Sequence, residues 1–409
     1  MKIAFIVNEF PCLSQTFILN QITGLIERGH DVDIYATKSD LSSKIHADVD
    51  KYKLLSRVHY FPTLSNNKLI RLIKGLRSLG KHLSRPKYFL KLLINRRKYG
   101  VQILSLKWIY STVSFLFDRE YDIIHCHFGI NGLKGMIFQD IRDSSPKLIT
   151  TFHGYDVNRD TYKNPKIYKP LLDNGDLYTV NSTFTRNKVI EFGFPREKIV
   201  TLPVGLNLSK YTFSEKSLSS GETIKVITVA RLVEKKGLEY SIKAIAQVVQ
   251  NYSNIEYKII GDGELRHALK RLIDSLDMSD KIKLCGWMNE NEVRQQYADA
   301  HIFILSSVTA SNGDMEGQGL VLQEAQAMGL PVLSTLHNGI PDGVLDGKSG
   351  FLVPERNVGS LAERLKYLVE HPESWVEMGK AGRSFVEQHY DTNKLNDRLV
   401  DLYRELLEQ

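Results

Sequence analysis

Cysteine is scarce. The three present, Cys12, Cys126 and Cys285, are odd in number, far apart and without a CxxC. That pattern excludes a disulfide framework and a structural zinc site and fits a reducing compartment. Long apolar runs are also missing. The N-terminal run Ile3 to Val7 is too short for a signal-peptide core, and polar Asn8 and Glu9 follow at once. No stretch reaches the ~18 to 20 apolar residues that span a bilayer, so a cytosolic or peripherally bound protein is expected. With 12 prolines and 42% apolar residues among 409, the chain lacks the low hydrophobicity of disorder and is long enough for two or three domains. Acidic residues, finally, are absent from one long segment: Lys68 to Trp108 holds twelve Lys or Arg and no Asp or Glu. The net charge is +7, so the rest of the chain is net acidic.

What is present is an alternation of short apolar runs and amphipathic stretches. Lys2 to Val7, Val32 to Ala36, Asp122 to Cys126, Lys147 to Thr151 and Leu177 to Val180 read as strands of a parallel sheet. The polar stretch Thr212 to Glu222 reads as a linker, after which the rhythm restarts at Lys225 and runs to Ser334. The expected fold is α/β: two Rossmann-like, doubly wound domains, 1–205 and 206–385, facing a central cleft. A C-terminal helical segment, 386–409, is expected to pack back on the first domain. Ligands on such sheets sit beyond the carboxyl ends of the strands, which directs attention to the residues following each run.

The sharpest signal there is Glu316-Gly-Gln-Gly-Leu-Val-Leu-Gln-Glu324, two carboxylates flanking a glycine-rich turn into a helix. A helix starting near Gly319 leaves Glu316 in the loop and Glu324 about one and a half turns along, so the two reach different parts of one ligand. The N–H groups of Gly317, Gln318, Gly319 and Leu320 would form an anion-binding helix start. Arg231 at a strand end and Lys236 beside Gly237 add a guanidinium fork and a point charge suited to a diphosphate. Gly261-Asp-Gly263 is too short for a dinucleotide fingerprint and reads as a tight turn lining a nucleotide pocket, with Trp287 nearby.

Together with Phe10-Pro11-Cys-Leu-Ser14-Gln15-Thr16, His127-Phe128-Gly129, Phe152-His153-Gly154-Tyr-Asp156 and His337-Asn-Gly-Ile-Pro341, these motifs resemble the GT-B retaining glycosyltransferases of family 4, in particular those of bacterial exopolysaccharide assembly. The resemblance implies that Arg231 and Lys236 hold the donor diphosphate, Glu316 the donor sugar and Glu324 the ribose hydroxyls. It implies that His153 approaches the anomeric carbon, and it makes Ser14, Thr16, His127 and Asp156 candidate substrate contacts. Gln15 stands where such relatives often have Glu. The co-substrate would be a nucleoside diphosphate sugar, UDP favoured over GDP, and the acceptor a lipid-linked oligosaccharide. No metal is obligatory, because cations and helix N–H groups stabilise the leaving diphosphate.

Other readings are weaker. Asp31-Val-Asp33 enters a strand from the wrong end for catalysis and Asp48-Val-Asp50 lies in a polar stretch, so both DxD triplets read as structural. His125-Cys126-His127 has no third zinc ligand at useful spacing and reads as strand-end packing with one cleft-facing His. The basic stretch 68–108 lacks any nucleic-acid module; interleaved with Leu and Ile, it reads as a surface for an anionic membrane. A nucleotide-sugar epimerase on the same architecture, or a binding protein without turnover, remains as an alternative.

Overall fold

The computed structural model describes residues 1–12, 15–39, 46–61, 119–141, 144–158 and 165–409. Ser14 and the whole basic stretch 68–108 lie outside the described residues. The first sheet holds seven parallel strands: β1 (Lys2–Glu9), β2 (Asp31–Lys38), β3 (Val58–Tyr60), β4 (Ile123–His127), β5 (Lys147–Phe152), β6 (Leu177–Val180) and β7 (Ile199–Thr201). Their order is β3-β2-β1-β4-β5-β6-β7. The second sheet holds β8 (Ile224–Val229), β9 (Ile255–Ile260), β10 (Ile282–Gly286), β11 (Ile302–Leu305), β12 (Val332–Thr335) and β13 (Gly350–Val353), in the order β10-β9-β8-β11-β12-β13. Both sheets are wound outward from a central pair, β1 with β4 and β8 with β11. Each therefore has a switch point at the carboxyl ends of that pair, where adjacent crossovers diverge and leave a crevice.

The central strands are continuous apolar runs because helices cover both faces: Ile3 to Val7 and Ile302 to Leu305 are all inaccessible to solvent. Cores lie on both sides of each sheet, around Ile124, Phe138 and Phe152 against Phe5, Ile22 and Leu25 in the first, and around Ile242 and Ile259 against Phe303 and Leu322 in the second. Sequence spacing missed β3, β7 and β13, three or four residues long, since so short a run at or near a sheet edge carries too few alternations to stand out.

The chain crosses between domains twice, and the crossings run side by side: Leu206 N–H donates to Tyr390 O at 2.7 Å and Thr392 N–H donates to Leu206 O at 2.9 Å. The helix Thr392–Leu407 then lies on the first domain. Leu399, Val400, Tyr403 and Leu406 join its core, and Arg28 pairs with Asp397 at 2.7 Å. Thr212 to Glu222 is not a free linker. Lys216 buries its ammonium against the C-terminal carbonyls of the helix Glu290–Asp299, donating to Tyr297 O at 3.1 Å and Ala298 O at 2.7 Å. A lysine satisfying orphan helix carbonyls fastens this polar segment to the second domain.

Candidate active site

On the second domain, β8 ends at Val229, and Arg231, two residues on, is exposed and in no ion pair among the described residues. The chain then makes a single 3-10 turn, Glu234–Lys236, and enters the next helix through Gly237 at φ 59. A Cβ on Gly237 would meet Ser306 O at 1.9 Å, so only glycine lets this turn close on the exit of β11. That closure brings Lys236, 9% exposed, into an ion pair with Glu316. Burial pushes the Glu316 carboxyl up, but Lys236 and Lys235 hold it below the usual range, so it is ionised.

Glu316 precedes a helix, Leu320–Ala327, capped by Gly319 at φ 75. The N–H groups of Gly317 to Leu320 donate to no acceptor among the described residues. Glu324, one and a half turns along, accepts from Tyr297 Oη at 3.0 Å. Burial raises its carboxyl to about 7, against the stabilising tyrosine hydroxyls. It faces a cavity of about 280 Å³ whose other wall includes Thr16 and Phe17 of the first domain.

On the first domain, His153 follows β5 and is 8% exposed, its ring beside Phe17 and Phe128 at centroid distances of 4.9 and 4.8 Å. Its Nε2 lies 3.1 Å from His127 Nδ1, and His127 stacks in turn on His125. Burial pushes the His125 and His153 imidazoles down to about 3 and that of His127 well below its ordinary value, so all three are neutral. The two domains meet next to His153: a Cβ on Gly317 would lie 4.0 Å from Gly154 N and 3.4 Å from Asn181 Nδ2.

The fold thus brings Arg231, Lys236, Glu316, Glu324, Gly317 to Leu320, Thr16 and His153 to one cleft. Two assignments change, those of His127 and Asp156. His127 is fully buried behind His153 and touches no solvent, so it cannot contact substrate; neither it nor His125 is the cleft-facing histidine, a position His153 takes. Asp156 is buried and accepts from Gly129 N–H at 2.8 Å and His153 N–H at 2.7 Å, tying two strand-end loops together. The Gln318 side chain is occupied by the Val204 backbone, accepting its N–H at 2.8 Å and donating to its carbonyl at 2.9 Å. The side chain thus latches the domain crossing, while the Gln318 N–H stays open at the helix start. Gly261 and Gly263 give β9's exit close approach to Ala230 and Leu232, where a Cβ would meet carbonyl oxygens at 2.0 and 2.6 Å, so they shape the loop bearing Arg231. Trp287 stands at the end of β10, 70% exposed and beside the Gly261–Gly286 bridge. The first DxD is structural: Asp31 pairs with Arg57 and Arg119, and Asp33 with Arg119.

Sequence reasoning quoted His337 within a motif but gave no role to the side chains that hold Glu316 and Glu324. His337 accepts the Glu316 N–H and contacts Glu355, and Tyr297 bonds Glu324. The rule that sites lie at strand carboxyl ends, applied to β12 and β13, would have found His337 and Glu355; Tyr297 lies on a helix and carries no such signal.

Comparison with known proteins agrees with this geometry. The family described as "Glycosyl transferases group 1" matches residues 209–385, and "Glycosyltransferase Family 4" matches residues 92–210. The chain is 33% identical to the putative colanic acid biosynthesis glycosyltransferase WcaL of Escherichia coli K12, over 99% of this chain and 100% of that protein. It is also 33% identical to the amylovoran biosynthesis glycosyltransferase AmsK of Erwinia amylovora, with the same coverage. Among solved structures, Anabaena HepE in complex with UDP and glucose superposes with a TM-score of 0.70 at 18% identity, covering 99% of this chain and 100% of that one. Two parallel-sheet domains, an ionised Lys–Glu pair at the switch point of the second, and full-length similarity of this order place the chain among the GT-B glycosyltransferases of family 4.

Proposed function

We propose that the protein transfers a hexose from a nucleoside diphosphate sugar to a lipid-linked oligosaccharide in bacterial exopolysaccharide, capsule or O-antigen assembly, with retention at the anomeric carbon. The observation that carries this reading is the buried Lys236–Glu316 pair beside the unpaired N–H groups of Gly317 to Leu320 and the free Arg231. Without donor, Lys236 neutralises Glu316. An arriving diphosphate competes for Lys236, with Arg231 and the helix N-terminus as further partners, and frees Glu316 to accept from a sugar hydroxyl. As the glycosidic bond to phosphate breaks, negative charge grows on the diphosphate and positive charge on the sugar ring. The cations and N–H groups stabilise the first, while the neutral His153 imidazole adds no repulsion to the second. These groups supply the leaving-group stabilisation without a metal. Glu324 holds the ribose, and Trp287 with the Gly261 turn borders the base.

UDP is favoured as the nucleotide by the ligand in the HepE complex. GDP is the second reading, because GDP-mannose-dependent mannosyltransferases of Mycobacterium tuberculosis are 25% identical over 70% of this chain. Exopolysaccharide is favoured by the two full-length relatives. An anionic membrane surface at the cytoplasmic face is favoured by the twelve cations of 68–108.

Melting the protein with UDP-glucose, UDP-galactose, UDP-N-acetylglucosamine and GDP-mannose identifies the donor by mass action. Incubation of that donor with a lipid extract, in EDTA, should then give a glycolipid with the donor's anomeric configuration. Release of a free epimerised sugar would replace transfer by epimerisation, and donor binding with no product from any extract would leave a binding protein.

A further inference from the structure

The loop between β11 and the helix Leu320–Ala327 runs along the cleft without regular structure, yet side chains from neighbouring strand ends fasten it. At its far end both backbone polar groups of Glu316 are held. The N–H of Glu316 donates to His337 Nε2 at 3.0 Å, and its carbonyl accepts from Asn338 Nδ2 at 3.0 Å. His337 is fully buried, and its Nδ1 lies 2.5 Å from Glu355 Oε1. The other Glu355 oxygen accepts from Thr309 N–H at 2.9 Å, near the beginning of the loop. Glu355 therefore reaches both ends of one loop, directly at Thr309 and through the imidazole at Glu316.

The geometry fixes the tautomer. A backbone N–H can only donate, and the Asn338 amide nitrogen, 3.2 Å from Nε2, is also a donor. Nε2 must therefore be the bare nitrogen, leaving Nδ1–H to point at the Glu355 carboxylate. A second sign of constraint is Asn338, whose backbone is left-handed at φ 46, a conformation held here by the side-chain bond to the Glu316 carbonyl. Nothing in this arrangement is needed to fold the sheet: β12 and β13 pair in register through Thr335 and Val353 before His337 and Glu355 are reached.

We propose that His337, oriented by Glu355, is a positioning residue that fixes the Glu316 peptide and so aims its carboxylate at the donor sugar before any ligand arrives. The proposal rests on the reading of Glu316 as the donor-sugar contact. Gly317 and Gly319 precede the helix start, and the chain between them is held from the far side by the Gln318 side chain on Val204. On the other side of Gly317 from that latch, the tether on Glu316's own backbone sets where its carboxylate points once Lys236 turns to the diphosphate, and a displacement of about 1 Å at a reacting centre costs on the order of a hundredfold in rate.

The test compares His337→Leu, His337→Gln, Glu355→Ala and Glu316→Ala in the full-length chain. The readouts are kcat for hydrolysis of whichever of UDP-glucose, UDP-galactose and GDP-mannose the wild type turns over best, and Kd for the corresponding nucleoside diphosphate by calorimetry. His337→Leu should lower kcat roughly ten- to a hundredfold while Kd stays within about threefold, since the diphosphate and ribose are held by other groups. His337→Gln, whose Oε1 can accept the same N–H, should recover most of the loss. If the leucine variant does not fold, Glu355→Ala carries the test with the same split and a smaller fall. Unchanged kcat in His337→Leu, a rise in Kd matching the fall in kcat, or no recovery with glutamine overturns the proposal. The reference separates the two readings. If Glu316→Ala keeps wild-type turnover, the donor-site assignment itself is wrong. If it lowers turnover about a hundredfold while His337→Leu leaves it unchanged, only the positioning role falls.

Discussion

The two walls of the cleft solve opposite electrostatic problems. The wall from the second domain concentrates ions: Lys236 paired with Glu316, a free Arg231 and the open N–H groups of a helix start. The wall from the first domain buries polar groups of similar number and keeps them neutral, with three stacked imidazoles whose burial disfavours protonation. A transfer in which the leaving group gains negative charge and the sugar gains positive charge needs this asymmetry. Cations on both walls would oppose charge development on the ring, and neutral groups on both would leave the diphosphate without partners. The comparison teaches that polar residues at equivalent strand ends are not equivalent: desolvation alone decides the state of His153, whereas counter-charge overrides desolvation at Glu316.

The largest expected effect breaks the ionic wall. Lys236→Ala and Glu316→Ala should each cost roughly 3 kcal/mol of transition-state stabilisation, about a hundredfold in turnover. The single Lys236→Ala also leaves a largely buried carboxylate without its main partner, so it should melt lower than the double variant, which removes both charges. Turnover and melting curves of the three proteins check this. Recovery of melting temperature without recovery of rate separates the catalytic demand from the structural one, and near-normal rates in both single variants would remove the charge asymmetry as an explanation.

Next in size is a break in the neutral wall that should spare binding. Asp156 caps the start of the helix Gly129–Ile141 through Gly129 N–H and holds His153 N–H with its other oxygen. Losing two backbone caps at about 1 kcal/mol each, Asp156→Ala should be destabilised by roughly 2 kcal/mol. Its nucleoside diphosphate affinity should match the wild type. Chemical denaturation and calorimetry give the two numbers. A large loss of affinity with unchanged stability would return Asp156 to the list of substrate contacts.

These two cases also show how far the sequence could be read. Strand runs such as Ile3 to Val7 and Ile302 to Leu305 are legible because a parallel sheet buried on both faces writes itself as uninterrupted apolar residues. Arg231, Lys236, Glu316 and Glu324 are legible because glycines at fixed offsets mark where backbone turns tightly at strand ends. Which polar residue faces the ligand is not. His127 ends β4 and His153 follows the adjacent β5, and packing against Phe5, Phe17 and His153 itself hides the first. Asp156 and Gln318 have the chemistry of ligand contacts and use it on the backbone. The domain latch from Gln318 to Val204 joins residues more than a hundred positions apart, a pairing that no local pattern announces.

The smallest effect concerns the two glutamates of the same wall, which titrate in opposite directions. Burial lifts Glu324 to about 7, so near neutrality it is part protonated, although ribose hydroxyls are best accepted by the ionised form. Binding then requires loss of a proton below pH 7, and Kd for UDP should rise by up to about tenfold, or 1.4 kcal/mol, for each pH unit descended. Glu324→Gln should bind more weakly at pH 8 and show a flatter profile. Titration of the UDP phosphate is common to both proteins and drops out of their ratio. The stability consequence has a definite sign. Because the folded value lies above the ordinary one near 4.5, Glu324 contributes stability that is fully present below pH 4.5 and lost as pH rises through about 7. Glu324→Gln should therefore melt higher than the wild type at pH 8 and not at pH 4. Glu316, held below its ordinary value, behaves in reverse: its contribution is present above that value and is lost as pH falls through the lowered one. Parallel pH profiles for wild type and Glu324→Gln would mean that solvent reaches this carboxylate as freely as it reaches a surface acid, and the ribose would then need another partner.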